Sequence, residues 1–153
     1  MPRYFYIGLL AVVVVGIAAV FFYRTETPIE QTAEFGGVSL RLEYATTPKD
    51  REKGLGGRTG IGKDYGMLFI FPRDDIYGIW MKDMPVPIDI FWLDSKGQVV
   101  SIARDVATST YPNVFYPTEP ARYVLETAAG FAREHSISTS TPLLLKNLER
   151  VSQ

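Results

Sequence analysis

Apolar and polar residues alternate most cleanly over Val38–Ala45, where Val38, Leu40, Leu42 and Tyr44 share one face and Ser39, Arg41 and Glu43 the other. This period of two predicts a half-buried β-strand. Apolar runs at 67–71 and 76–81, separated by Pro72, Arg73, Asp74 and Asp75, are short enough to be strands buried on both faces. Pro85 and Pro87 confine the run at 87–94, PIDIFWLD, to a sheet edge or to the start of its strand. Asp94-Ser95-Lys96-Gly97 reads as a hairpin turn, with 98–106 returning as the partner strand. Ala121–Ala128 and 142–146 bring the expectation to about seven strands.

Helical signals are sparse. Thr47 as N-cap, Pro48 at the first helical position and Asp50 three residues after the cap predict a short helix that Gly54, Gly56 and Gly57 end. A second helical turn is expected at 130–135. The pattern predicts a mainly β domain over 35–148, a small antiparallel sandwich or barrel-like fold with one or two short helices.

Two stretches fall outside this pattern. Residues 4–23, YFYIGLLAVVVVGIAAVFFY, carry no charge over 20 positions. At 1.5 Å per residue such a helix spans a hydrocarbon layer of about 30 Å. Aromatic residues at both of its ends suit the interfacial belts, and no A-x-A-like cleavage site follows, so 1–23 reads as an uncleaved transmembrane anchor. Arg3 precedes the span while Arg24 is diluted by Glu26, Glu30 and Glu34, which favours a single-pass cell-membrane protein with its domain on the extracytoplasmic side. Residues 24–34, polar and with Pro28, read as a linker. The second stretch, 105–120, holds three prolines and three aromatics without regular pattern, and reads as a functional loop such as a lid.

Composition then excludes several classes. The formal charge is −1, of which Arg3 is the only charge in the anchor, leaving −2 for the rest; no basic patch suggests nucleic acid. There is no cysteine and only one histidine, which excludes thiolate and ordinary zinc sites; no metal and no cofactor are expected. The loop 54–66 has six glycines, but lacks G-x-x-x-x-G-K-[ST]. No G-x-S-x-G element occurs either.

The charges embedded in apolar strands are the candidates for chemistry. Asp89 shares its face with Phe91 and Leu93, and Glu126 shares its face with Val124 and Ala128. A carboxylate on such a face must be paired, well hydrogen-bonded or shifted towards its neutral form. Each is therefore either a structural group or a site group, and together they could form a hydrolytic pair if their separation allowed. Arg51 on the short helix and Arg58 in the glycine loop could present planar forks to a ligand. Lys82 follows Trp80 and Met81, which either line a pocket or belong to the core.

The runs REKGLGGR (51–58), GMLFIF (66–71), IWMKDM (79–84), PIDIFWLD (87–94) and ARYVLETAAG (121–130) together resemble the domain of unknown function 192 family, over about 38–145. That resemblance implies a small, mostly β domain, often preceded by a signal or a single span, in bacteria and archaea. Arg51, Arg58, Lys82, Asp89 and Glu126 match the family's pattern. Gly56 stands where the family has Met, and Asp83-Met84 where it has Asn-Thr. The leading functional expectation is a non-enzymatic, membrane-anchored domain that binds a small polar ligand or an envelope component between loops 54–66 and 105–120, through Arg51, Arg58, Trp80, Lys82 and Asp89. The alternatives are a carboxylate-dependent hydrolase of envelope glycans using Asp89 and Glu126, and a protein-interaction module using the aromatic loop.

Overall fold

A computed structural model describes residues 30–145. Nine strands occur among them: β1 (Glu30–Phe35), β2 (Val38–Ala45), β3 (Tyr65–Asp75), β4 (Ile79–Trp80), β5 (Ile88–Leu93), β6 (Val99–Val106), β7 (Val114–Phe115), β8 (Ala121–Ala128) and β9 (Leu143–Leu145). The two short helices are α1 (Pro48–Lys53) and α2 (Phe131–Glu134). Seven strands form one sheet in the order β6-β5-β8-β3-β2-β1-β9, and β4 pairs with β7 as a separate ribbon.

The large sheet curls on itself. A bridge between Gln98 and Pro142, with hydrogen bonds from the Val99 amide to the Thr141 carbonyl (3.1 Å) and from the Leu143 amide to the Gly97 carbonyl (2.9 Å), draws its two outer strands together. The result is a half-barrel, not a two-sheet sandwich. Nor is it wholly antiparallel, because β2 and β3 run parallel, Glu43 opposite Met67. A parallel neighbour needs a crossover. Helix α1 and the glycine loop supply it, and so cross the outer face of the sheet.

One expected boundary is corrected. The proposed linker 24–34 includes strand β1, which pairs with both β2 and β9. Its polar appearance comes from exposed Thr32 and Glu34, while Ala33 and Phe35 alternate inward and are fully buried. Gly36 and Gly37, both at positive φ, form the β1–β2 turn. Pro72 does not end its strand, since β3 continues to Asp75. Residues 4–23, the expected anchor, lie outside the described residues; among those described, no helix is long and apolar enough to cross a membrane.

Each face of the sheet has its own core. Inside the curl, Phe35, Leu40, Leu42, Leu68, Phe91, Leu93 and Leu125 pack with Phe131 and Ile137, so α2 plugs the half-barrel. Outside it, Met67, Phe69, Ile88, Ile90, Trp92 and Val124 are covered by Leu55, Ile79, Met81 and Met84. The alternation of β5 and β8 explains why both have long buried runs: each strand has an apolar layer on either side. The candidate site lies within the outer layer.

Candidate functional site

The strand register decides which embedded charges can cooperate. Asp89 stands opposite Thr127, and Ile90 opposite Glu126. Side chains alternate along a strand, so Asp89 and Glu126 project from opposite faces of the sheet.

Asp89 points into the curl and is fully buried. One carboxylate oxygen accepts from the Asp105 amide and the other from the Ala132 amide, both at 2.7 Å. It therefore ties the end of β6 to the first turn of α2. The alternative reading, in which Asp89 and Glu126 act together at one glycosidic bond, is not met by this geometry, because the two carboxyl groups do not share a face.

Glu126 has the opposite character. It points to the outer face, is 4% exposed, and its Oε2 is buried without a hydrogen-bond partner. Burial pushes its pKa up from 4.5 to about 8, against the opposing effects of the Leu55 amide, which donates to the carboxyl group, and of the nearby Arg58 charge. A pKa raised this far favours the protonated form, with an O–H to offer, at neutral pH. Glu126 lines a cavity of ≈ 50 Å³ together with Gly54, Phe69, Trp80 and Lys82. That volume admits only a few atoms.

Gly54 makes the cavity. It sits at φ +50°, ψ −138° after α1, and a Cβ there would lie 3.4 Å from Glu126 Oε2 and 3.1 Å from the Phe69 ring. A side chain at this position would be strained and would narrow the space. The helix before it forms as expected: Thr47 accepts from the Asp50 amide at 3.1 Å.

The charged rim comes from α1 and from the turn after β4. From α1, Arg51 donates to the backbone carbonyls of Thr46 and Ile70, the latter at 2.9 Å, and lies over the Phe71 ring. From the turn after β4, Lys82 Nζ is 3.6 Å from Glu52 and 5.6 Å from the Trp80 ring centroid. Trp80 is 41% exposed and meets the edge of Tyr111, which brings the 105–120 loop to the cleft. A wider open groove of ≈ 420 Å³, lined by Lys49, Glu52, Lys53, Gly56, Lys82 and Asp83, adjoins the cavity and shares Glu52, Lys53 and Lys82 with it.

Arg58 is positioned by a clasp. Its Nη2 donates to both Glu43 oxygens at 2.9 and 2.8 Å, its Nη1 donates to the Tyr65 hydroxyl at 2.7 Å, and that hydroxyl donates to Glu43. Burial acts to lower the Arg58 pKa, but the Glu43 hydrogen bond and the neighbouring Tyr65 and Glu43 charges outweigh it and leave it raised. Burial, then the Glu43 hydrogen bond, also push the Tyr65 phenol well above its ordinary value. Arg58 thus fastens the glycine loop to the sheet and acts on Glu126 only at longer range.

Sequence reasoning singles out Arg51, Trp80, Lys82 and Glu126, which the structure gathers around one cavity, together with Arg58, which lies behind it, and Asp89, which lies on the other side of the sheet. It misses Glu43, which reads as part of a solvent face, and Gly54 as a cavity wall. Both depend on the parallel β2–β3 register, which no local pattern announces. Among the described residues, no group of three His, Cys, Asp or Glu side chains is placed to hold a metal ion.

The fold and cleft define a small, mainly β half-barrel domain with a buried carboxyl on its outer face. The chain belongs to the DUF192 family of uncharacterised ACR proteins, which it matches over residues 30–144. It is similar to a protein of Sinorhizobium meliloti 1021 provisionally named a transcription regulator, at 28% identity and TM-score 0.74, over 80% of this chain and 98% of that one. It is also similar to a protein of unknown function from Novosphingobium aromaticivorans DSM 12444, at 27% identity and TM-score 0.68, over 76% of this chain and 84% of that one. No curated protein matches.

Proposed function

We propose that this chain is a membrane-anchored, extracytoplasmic domain that binds a small polar ligand in the Glu126 cleft. One observation carries the reading: a buried carboxyl group with an unpartnered oxygen borders a cavity rimmed by cationic and aromatic side chains. An unsatisfied buried polar group costs about 1–3 kcal/mol, and a ligand acceptor would recover it. Few polar groups converging on a concave site are what small-ligand pockets use. The anchor rests on the uncharged run 4–23 and the extracytoplasmic side on the placement of Arg3.

The test is thermal unfolding of the full chain against sugars, acidic sugars, nucleotides and divalent ions, with Glu126→Ala beside it. A ligand at 100 times its Kd adds about 2.7 kcal/mol, which raises Tm by several degrees in a domain of this size. The reading predicts a shift that Glu126→Ala abolishes. A flat panel, or a shift that Glu126→Ala retains, contradicts it.

A further inference from the structure

We infer that the ligand of the cleft is an acidic sugar, its carboxylate seated in the small cavity against Glu126 and its hydroxyl-bearing ring in the adjoining groove. This deepens the reading above and rests on it. The volumes divide the ligand in two: ≈ 50 Å³ beside Glu126 takes a group the size of a carboxylate, while ≈ 420 Å³ outside takes a ring.

The inner space offers hydrogen-bond donors. The Leu55 amide lies close enough to the Glu126 carboxyl group to oppose the rise in its pKa, while Oε2 is the oxygen without a partner. In the neutral acid a proton on Oε2 would find no acceptor within the protein. Lys82 stands at the mouth, and its ion pair with Glu52 at 3.6 Å is exposed and weak enough to exchange for a ligand anion. A carboxylate satisfies both donors, and a hydrogen bond to an ionised acceptor is the stronger kind.

The outer groove calls for a different chemistry. Its side chains are charged and of both signs, Lys49 and Lys53 against Glu52 and Asp83, which suits hydroxyls that donate and accept rather than an apolar body. Trp80, part-exposed where it lines the inner space, offers a ring edge and face to the sugar's C–H groups.

The probes are glucuronate, galacturonate and N-acetylmuramate, each against glucose and acetate, titrated into the full chain. The fluorescence of exposed Trp80 is followed, with Trp92 buried as the constant background. At least one acidic sugar is expected to bind at least tenfold more tightly than glucose and acetate, to lose binding in Glu126→Ala, and to weaken about tenfold in Lys82→Ala. Glu126→Gln, which keeps an N–H donor, is expected to retain affinity within about threefold and to lose the decline that wild type shows between pH 7 and 9. The charges facing Glu126 are Arg51, Glu52 and Lys53 from α1, Arg58 from the glycine loop and Lys82 after β4. All are common to both proteins, so the difference isolates Glu126.

Acetate or glucose binding as tightly as the acidic sugars, with Glu126 dependence, overturns the acidic-sugar inference and leaves the ligand site standing. So does binding by another class of the panel with none of the three acidic sugars. Silence from every probe and from the whole panel overturns both.

Discussion

Glu126 makes the fold depend on pH with a definite sign. Its pKa rises from 4.5 to about 8 on folding because burial penalises the anion. Between those values the folded state holds a proton that the unfolded state has released. Stability from this group is therefore fully present below pH 4.5, falls as pH rises to about 8, and levels above it. The slope is about 1.4 kcal/mol per pH unit for one proton. Denaturant unfolding from pH 5 to 8 is expected to lose a few kcal/mol in wild type, with this component absent in Glu126→Gln. Parallel curves for the two proteins would contradict a buried neutral acid. Gly54 supplies a second prediction at this scale. Gly54→Ala places a Cβ at φ +50° against Phe69 and Glu126, and is expected to cost about 1–3 kcal/mol and to weaken ligand binding.

Among elements, buried carboxyl groups perform two unlike tasks on neighbouring strands. Asp89 on β5 holds two backbone amides, so Asp89→Ala leaves the buried Ala132 amide and the part-buried Asp105 amide without this partner and is expected to cost about 1–3 kcal/mol while leaving affinity for a cleft ligand unchanged. Loss of binding at full stability would instead place Asp89 in the site. The Arg58–Glu43–Tyr65 clasp spans β2, β3 and the glycine loop, is bidentate and is partly shielded. It should exceed the roughly 0–1 kcal/mol of an exposed pair. Arg58→Ala is expected to loosen the 54–62 loop, read as faster amide hydrogen exchange there with the curl's interior still protected.

The alternation in β2, β5 and β8 makes both embedded carboxyls and most strands legible from sequence alone. What it cannot give is register. Whether Asp89 and Glu126 share a face depends on which residue of β5 meets Glu126, and Ile90 does. Likewise Glu43 reads as a solvent-facing residue until the crossover through α1 lays Arg58 and Tyr65 over it.

At the scale of the whole molecule, the half-barrel separates stability from chemistry. The inner core, sealed by Phe131 and α2, carries no vacant polar group among the described residues, whereas the outer layer under the glycine loop holds the one that is unpartnered. The proposed anchor belongs to this scale as well: the full chain is expected in the membrane fraction after alkaline carbonate washing, and release of the whole population would contradict a spanning segment.

The most direct measurement is the ¹³C carboxyl titration of Glu126 in glutamate-labelled protein, assigned by its absence in Glu126→Gln. A midpoint near 8, moving when a cleft ligand is added, is the predicted result. A midpoint near the ordinary 4.5, unmoved by every ligand tested, would contradict a neutral acid poised to donate into the cavity.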